Sequence, residues 1–413
     1  VQPGSEDELR ELVREARELG TTIKVVGARH SWSDIAMGEG FLVSLDAMQR
    51  VLEVDHERGC VRVQAGIRLH RLNEELAARG LALAILGSVT EQSIAGVMAT
   101  GTHGSSLVHG NIPSLAVGMR LVTGTGEVLE LDEDHPLLPA ARVALGALGI
   151  VTEVTLKVVP AFRLRETTET LSFAEALADI QAIARSAEYV KLWWLPHTDK
   201  VVVFRCEHTR EPGKVSRLLR WLDAYLVNKV VFGSLLWIGR FVPAIIPPIN
   251  RLVTRTYLEA APKVGRSDRI LSVSMPPRHR EMEYALPVER AAEALDQTRA
   301  LIERLGVRVN FLTELRFVKA DDAWMSPAGE RDTCQLGAYM AKAPGIEGYF
   351  AGFEEAMQAL GGRPHWGKEF GATAEDIREM YPHSQAFAAK AQKLDPDGVF
   401  RNRFLDRVLP PPS

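Results

Sequence analysis

The chain has 413 residues, 46% of them hydrophobic and 25% charged, an ordinary globular composition with length for two or three domains at roughly 100–200 residues each. Its 49 Lys plus Arg against 53 Asp plus Glu leave a net charge of −4, which gives no reason to expect nucleic acid as a partner. Three cysteines, Cys60, Cys206 and Cys334, are too few and too scattered for a disulfide framework or a four-ligand zinc site.

The predicted elements begin with a helix. Ser5-Glu6-Asp7-Glu8 reads as a capping box ahead of apolar Leu9, Leu12 and Val13. No signal peptide opens the chain, and a helix starting so close to Val1 suggests that a short segment precedes it in the full protein. Thr22 to Gly27 reads as a strand running into a glycine turn, and β-branched runs follow at Phe41 to Leu45, Val51 to Val54, Val61 to Ala65 and Val151 to Val159. Leu69 to Arg79 has helical spacing and stops at Gly80. This mixture predicts an α+β domain of several small sheets, and the lack of G-x-G-x-x-G after the first strand argues against a Rossmann nucleotide site.

After Pro160 the texture changes. Residues 161–209 carry polar strands, a helix from Phe173 to Ala187 and the aromatic run Leu192-Trp193-Trp194. Farther on, Arg269 to Val273, Val307 to Val318 and Gln335 to Ala341 read as strands, Glu289 to Leu305 and Gly348 to Leu360 as helices. The tail from Gly361 is rich in glycine, proline and charge. A domain boundary is predicted near residue 160.

Two segments are dense in small residues and histidine. One is Gly27-Ala28-Arg29-His30-Ser31-Trp32-Ser33-Asp34; the other runs from Gly87-Ser88-Val89-Thr90 through Ser93-Ile94-Ala95-Gly96 to Thr100-Gly101-Thr102-His103-Gly104-Ser105-Ser106. Loops of Gly, Ser and Thr let backbone N–H groups approach an anion closely, so both are candidate pyrophosphate cradles. Neither histidine stands in an H-x-x-x-H or H-E-x-x-H pattern, so no metal site is expected.

The string G-A-R-H-S-W-S-D, followed by S-I-A-G-V-M-A-T-G-T-H-G-S, resembles the FAD (PCMH-type) domain of the vanillyl-alcohol oxidase family, in its aldonolactone and alditol oxidase branch. The resemblance continues through Glu188-Tyr189, Trp194 to Thr198, Thr313 to Phe317, Arg331 to Cys334, Gly361 to Lys368 and Leu394 to Gly398. It implies a two-domain fold: residues 1–160, with 361–413 returning to them, would bind FAD, and residues 161–360 would form a cap. His30 would carry a covalent bond to the flavin 8α-methyl. Val26, Gly27, Ala28, Arg29, Ser31 and Asp34 on the first loop would wrap the cofactor. Gly87, Ser88, Thr90, Ser93, Gly96, Thr100, Gly101, Thr102 and Gly104 would do so on the second, with Ile150 at the adenine end.

The reaction implied is oxidation of a secondary alcohol in a sugar lactone such as L-gulono-1,4-lactone. Hydride would leave for flavin N5 while a base takes the hydroxyl proton, and the 2-keto lactone would tautomerise to L-ascorbate. Dioxygen would reoxidise the flavin, giving hydrogen peroxide. Alternatives are an alditol oxidase, a dehydrogenase passing electrons to cytochrome c, and a flavin-binding membrane scaffold without turnover. Glu314 and Arg316 share one face of a strand by period two, and the resemblance places that face on the substrate side. Glu314 or Lys368 would accept the proton, Arg316 would orient the lactone oxygens, and Ser105 and His103 would bind hydroxyls. His365 belongs to the same set, with Trp366 as a packing anchor, and Lys368 near the flavin's pyrimidine edge would stabilise negative charge on reduction.

Residues 214–255 combine apolar runs with seven basic residues and one acid, Asp223; their longest uncharged stretches, 230–239 and 241–250, fall short of the roughly 20 residues that span a bilayer. They read either as a core helix pair or as an interfacial, monotopic membrane attachment broken at Pro243 and Pro247-Pro248. The resemblance favours attachment, at the endoplasmic reticulum if the source is an animal and otherwise in the cytoplasm.

Overall fold

This computed structural model describes residues 1–213, 233–256, 261–272, 278–341 and 343–409. Two sheets organise them. A five-stranded antiparallel sheet takes its strands from the first 160 residues, in the order Val51–Asp55, Cys60–Gln64, Ile150–Lys157, Ala116–Val122, Val128–Leu131. Alternation builds it: Ile150, Thr152, Val154 and Leu156 are buried while their neighbours are not. Ser5 caps the first helix, Glu6–Leu19, by accepting from Glu8 N–H, and the helix buries Leu9, Leu12, Val13 and Ala16.

The second sheet has eight strands, all antiparallel, in the order Lys263–Arg266, Arg163–Ser172, Lys200–His208, Tyr189–Trp194, Thr313–Val318, Thr333–Met340, Arg280–Pro287, Arg363–Pro364. Helices Phe173–Ala184, Ala291–Leu305 and Ile346–Ala359 pack together along it, and Leu192, Leu315, Phe317, Leu336 and Tyr284 join the same apolar core. Residues of the opposite parity face the other way, and they carry the chemistry. After the short Arg363–Pro364 strand the chain leaves this sheet: Val399 C=O accepts from Ile23 N–H at 2.7 Å and Asn402 bonds carbonyls of Asp34, Ile35 and Met37.

Two expected strands need correction, and a third strand is missing from the expectations. Arg269 to Val273 was expected as a strand, but Ser267–Leu271 is a short helix, because the preceding edge strand ends at Arg266 and Asp268 turns back to bond that arginine. The predicted strand Val307 to Val318 begins only at Thr313. Arg280–Pro287, central to the site, carries no prediction at all. Of the apolar-basic stretch, residues 214–232 lie outside the described residues. The described part forms two helices, Gly233–Phe241 and Ile246–Thr256, with Trp237, Ile238, Phe241, Val242 and Leu252 exposed. Among the described residues no helix is long and apolar enough to cross a membrane.

Candidate active site

The first loop turns sharply at Arg29, whose φ of +61° is uncommon for a residue with a side chain and marks a local strain. It lines a cleft of about 470 Å³ formed by Val26, Gly27, Ala28, Arg29 and His30 with Ser44, Asp46, Arg68, His70 and Glu91. A Cβ on Gly27 would lie 2.7 Å from Ser93 Oγ, so only glycine allows that approach. Arg68 is ion-paired with Asp46. Partial burial, with Arg68 and Lys368 adding to it against Glu91, pushes the His30 ring below its ordinary value, so it stands neutral and nucleophilic at neutral pH. Two arginines, Arg29 and Arg68, beside the neutral His30 fit a dinucleotide's phosphates and a point of attachment, with Asp46 and Glu91 on the same wall.

Not every expected cradle residue reaches this cleft. Asp34 opens a 3₁₀ turn and faces Arg407 at 3.7 Å. Thr100 and Thr102 are buried and bond each other at 3.3 Å. Ser93 caps the helix Ile94–Thr100 through Gly96 N–H, and Gly101 terminates it with φ +71°. Ile150 opens a buried strand. Thr90 C=O accepts from His70 N–H at 2.8 Å, and Gly87 and Gly104 admit backbone packing, since a Cβ on Gly104 would lie 2.5 Å from Leu86 O.

The charged face of the large sheet is arranged in registered rows. Trp193, Glu314, Gly337 and Glu283 stand opposite one another across four strands, as do Lys191, Arg316, Gln335 and Ala285 in the next row. Arg316 donates to Glu314 at 2.6 Å and to Ser88 Oγ at 2.7 Å, tying the cap sheet to the second loop. Trp193 Nε1 at 2.7 Å and Tyr339 hydroxyl at 3.3 Å complete the donors around Glu314. Burial would raise this carboxyl, but Arg316, Lys191 and the Trp193 bond hold it below the usual range. It is therefore a buried, ionised pair and no surface decoration. Gly337 leaves the room that the Tyr339 ring fills, for a Cβ there would lie 2.5 Å from the ring.

A second cluster sits on the strand Arg280–Pro287 and the turn after Pro364. His103 Nδ1 lies 2.9 Å from Gly104 O, which can only accept, so Nδ1 carries a hydrogen. Its Nε2 lies 3.0 Å from Glu283 Oε1, and one proton must lie between them. Burial disfavours the Glu283 charge, yet His103 and Lys368 hold the carboxyl well below its ordinary value. Lys368 Nζ is ion-paired with Glu281 and lies 3.8 Å from Glu283, its stem over the Trp32 ring with Nζ 4.5 Å from the centroid. Burial would raise Glu281 too, but Lys368 and His279 hold it low. Burial pushes His365 down to about 3, so its ring is neutral. Gly367 N–H donates to its Nδ1 at 3.0 Å, which puts the ring proton on Nε2.

The ligand atoms of His103, Glu283 and His365 lie within 4.8 Å of one another. A dication would compete there with the Lys368 ammonium and with a proton already on His365 Nε2, so the cluster suits proton chemistry better than a metal. Ser105 donates to Val190 O and accepts from Phe317 N–H at 3.0 Å, so its hydroxyl fastens the second loop to the cap sheet. Trp366 is fully buried with Nε1 2.6 Å from Met325 O. Sequence reasoning missed Glu281, Glu283, Tyr339 and Arg68. The alternation Glu281-Met282-Glu283-Tyr284 was a legible signal for the first two.

The whole chain is similar to known proteins. The family profile described as D-arabinono-1,4-lactone oxidase matches residues 154–408, and that of an FAD binding domain matches residues 1–132. An L-gulonolactone oxidase from Scyliorhinus torazame is 36% identical, covering 99% of this chain and 94% of its own length. An L-gulono-1,4-lactone dehydrogenase from Mycobacterium tuberculosis is also 36% identical, over 100% of this chain and 96% of its own. Among solved structures, cholesterol oxidase from Brevibacterium sterolicum superposes with a TM-score of 0.84 over 99% of this chain and 93% of that one. At 18% identity that likeness concerns the fold alone.

Proposed function

The chain belongs to the FAD-dependent aldonolactone oxidase family, and on that premise we propose that it oxidises L-gulono-1,4-lactone, with L-galactono-1,4-lactone as a second substrate, to the 2-keto lactone that tautomerises to L-ascorbate. The observation that carries this is the buried Glu314–Arg316 pair, held to Ser88 across the join of the two sheets. A fixed guanidinium beside a carboxylate suits a ligand rich in hydroxyl and carbonyl oxygens, and Arg316 orients the lactone through them. The flavin supplies the acceptor of the substrate's electron pair. Lys368, the most exposed member of the second cluster, takes the hydroxyl proton. Both Glu314 oxygens already accept donors, so Glu314 positions rather than accepts.

The fold divides in this reading into an FAD half, residues 1–160 with the tail after Pro364, and a cap between them. His30 is the point of covalent attachment: flavin that stays with the protein after acid denaturation supports it, and flavin released by acid refutes it. Dioxygen is the preferred acceptor, in line with the relatives called oxidases; the mycobacterial relative, equally similar and called a dehydrogenase, keeps another acceptor as the second reading. The exposed Trp237, Ile238, Phe241, Val242 and Leu252 make this face a peripheral membrane contact.

The deciding experiment is anaerobic mixing of the flavoprotein with L-gulono-1,4-lactone while the visible flavin band is followed, then admission of air. Bleaching supports lactone oxidation, and recovery in air supports dioxygen as acceptor. An unchanged band with both lactones overturns the assignment.

A further inference from the structure

His103, Glu283, Lys368 and Glu281 form a chain of alternating charge across the inner wall of the site. Its links are 3.0 Å, 3.8 Å and the close Lys368–Glu281 pair. The side chains of His103, Glu283 and Glu281 are 5%, 7% and 4% exposed, whereas Lys368 is 17% exposed. Of the four, the lysine is therefore the most open to a ligand. An ammonium is no base by itself; it takes a proton only by giving one up. Of its two carboxylate neighbours, Glu283 already shares the proton that His103 Nε2 contributes. Glu281 meets its own imidazole, His279, only at a longer 3.7 Å and through Oε2, which leaves Oε1 to Lys368.

We propose that Glu281 is the terminal proton acceptor of the site: Lys368 receives the substrate's hydroxyl proton as it passes one of its own to Glu281 Oε1. The inference rests on the proposed alcohol oxidation. In the balanced step the substrate's O–H bond breaks and an N–H bond forms on Lys368. Another N–H bond of Lys368 breaks and an O–H bond forms on Glu281. The C–H bond breaks and its hydrogen leaves with the electron pair for the FAD, and the oxygen's freed pair closes the carbonyl.

Charge explains why the proton stays inside. At rest the chain of two cations and two carboxylates is neutral; Tyr339, His365 and the neutral Glu314–Arg316 pair are packed against it, and His279 faces Glu281 at 3.7 Å. Burying a net charge is costly. Two electrons arriving on a nearby flavin with one proton leave one negative charge, and a second proton on Glu281 cancels it. Glu281 thus becomes an acid only when the cofactor is reduced, and it returns to a carboxylate on reoxidation.

The test needs no lactone, so it stands apart from the substrate assignment. The holoenzyme is reduced by light and its reduced-minus-oxidised infrared spectrum recorded in H2O and D2O. We expect a deuterium-sensitive carboxylic acid stretch to appear on reduction in the native protein, to vanish in Glu281→Gln and to persist in Glu283→Gln. If Glu281→Gln does not fold, Glu281→Asp serves, and the band should then shift. No band in the native protein, a band that survives Glu281→Gln or stays unmoved in Glu281→Asp, or a band lost in Glu283→Gln overturns the proposal.

Discussion

Replacing Glu314 by Gln tests whether the buried pair is built as the geometry implies. Three donors converge on this carboxylate: Arg316 Nη2 at 2.6 Å, Trp193 Nε1 at 2.7 Å and the Tyr339 hydroxyl at 3.3 Å. Both carboxylate oxygens accept, with Trp193 on one and Arg316 with Tyr339 on the other. An amide offers one acceptor oxygen and two N–H donors. Turned towards Arg316, it sets its NH2 against the Trp193 N–H; turned towards Trp193, it sets its NH2 against the guanidinium. One buried donor is orphaned either way, and Arg316 loses its counter-charge while keeping its bond to the neutral Ser88 hydroxyl. Breaking a buried ion pair from one side costs about 3–5 kcal/mol. Urea unfolding of the flavin-loaded protein, followed by far-UV circular dichroism, should show the midpoint falling accordingly with an unchanged slope. Adding Trp193→Phe removes one donor and should return about 1 kcal/mol of that loss. A loss under about 1 kcal/mol, the worth of an exposed pair, would refute the reasoning.

Other outcomes follow from the same geometry. His365 binds its proton only near pH 3 when folded but near 6.5 when unfolded; the unfolded chain therefore holds more protons between those values, so stability falls as pH drops through that window. His365→Gln should flatten the melting temperature against pH there. Gly337→Ala must push the Tyr339 ring aside and loosen its bond to Glu314. The cost should be about 1–3 kcal/mol in urea unfolding and should disappear when Tyr339→Ala accompanies it. Trp237→Ser with Phe241→Ser should weaken cosedimentation with anionic vesicles by roughly tenfold or more, since burying each side chain contributes about 1.5–3 kcal/mol. Unchanged cosedimentation would remove this face as the membrane contact.

Local signals and family motifs brought the reading of the chain a long way. Ser5 caps the first helix and Ser172 caps the helix after the long cap strand, both through the third-residue N–H. The two-residue spacing of Glu314 and Arg316 put both on one face of a real strand, with Leu315 and Phe317 in the core behind them. Where the reading failed, nearby residues were outweighed by distant ones. The β-branched composition of Val307 to Leu312 suits a strand, yet pairing with Tyr189–Trp194 and Thr333–Met340 begins only at Thr313. Ser105 looked like a free hydroxyl for substrate because no local pattern reveals that Val190 and Phe317, each more than 80 residues away, would engage it.

The strand Arg280–Pro287 shows the limit most clearly. Its alternation of Glu281 and Glu283 with Met282, Tyr284 and Leu286 has the period of a half-buried strand, and such alternation normally puts the charged side in water. Here the charged side is 3% and 6% exposed at Glu281 and Glu283. What covers it is the other end of the chain's order: His103 from the second loop, and His365 and Lys368 from a turn 80 residues later. Two carboxylates can be buried there only because two groups able to carry positive charge arrive from separate segments. That neutrality belongs to the assembled site and to no window of sequence. A strand that reads as a solvated edge can therefore carry buried, paired acids, and the cue is the count of cations that family motifs bring to its face.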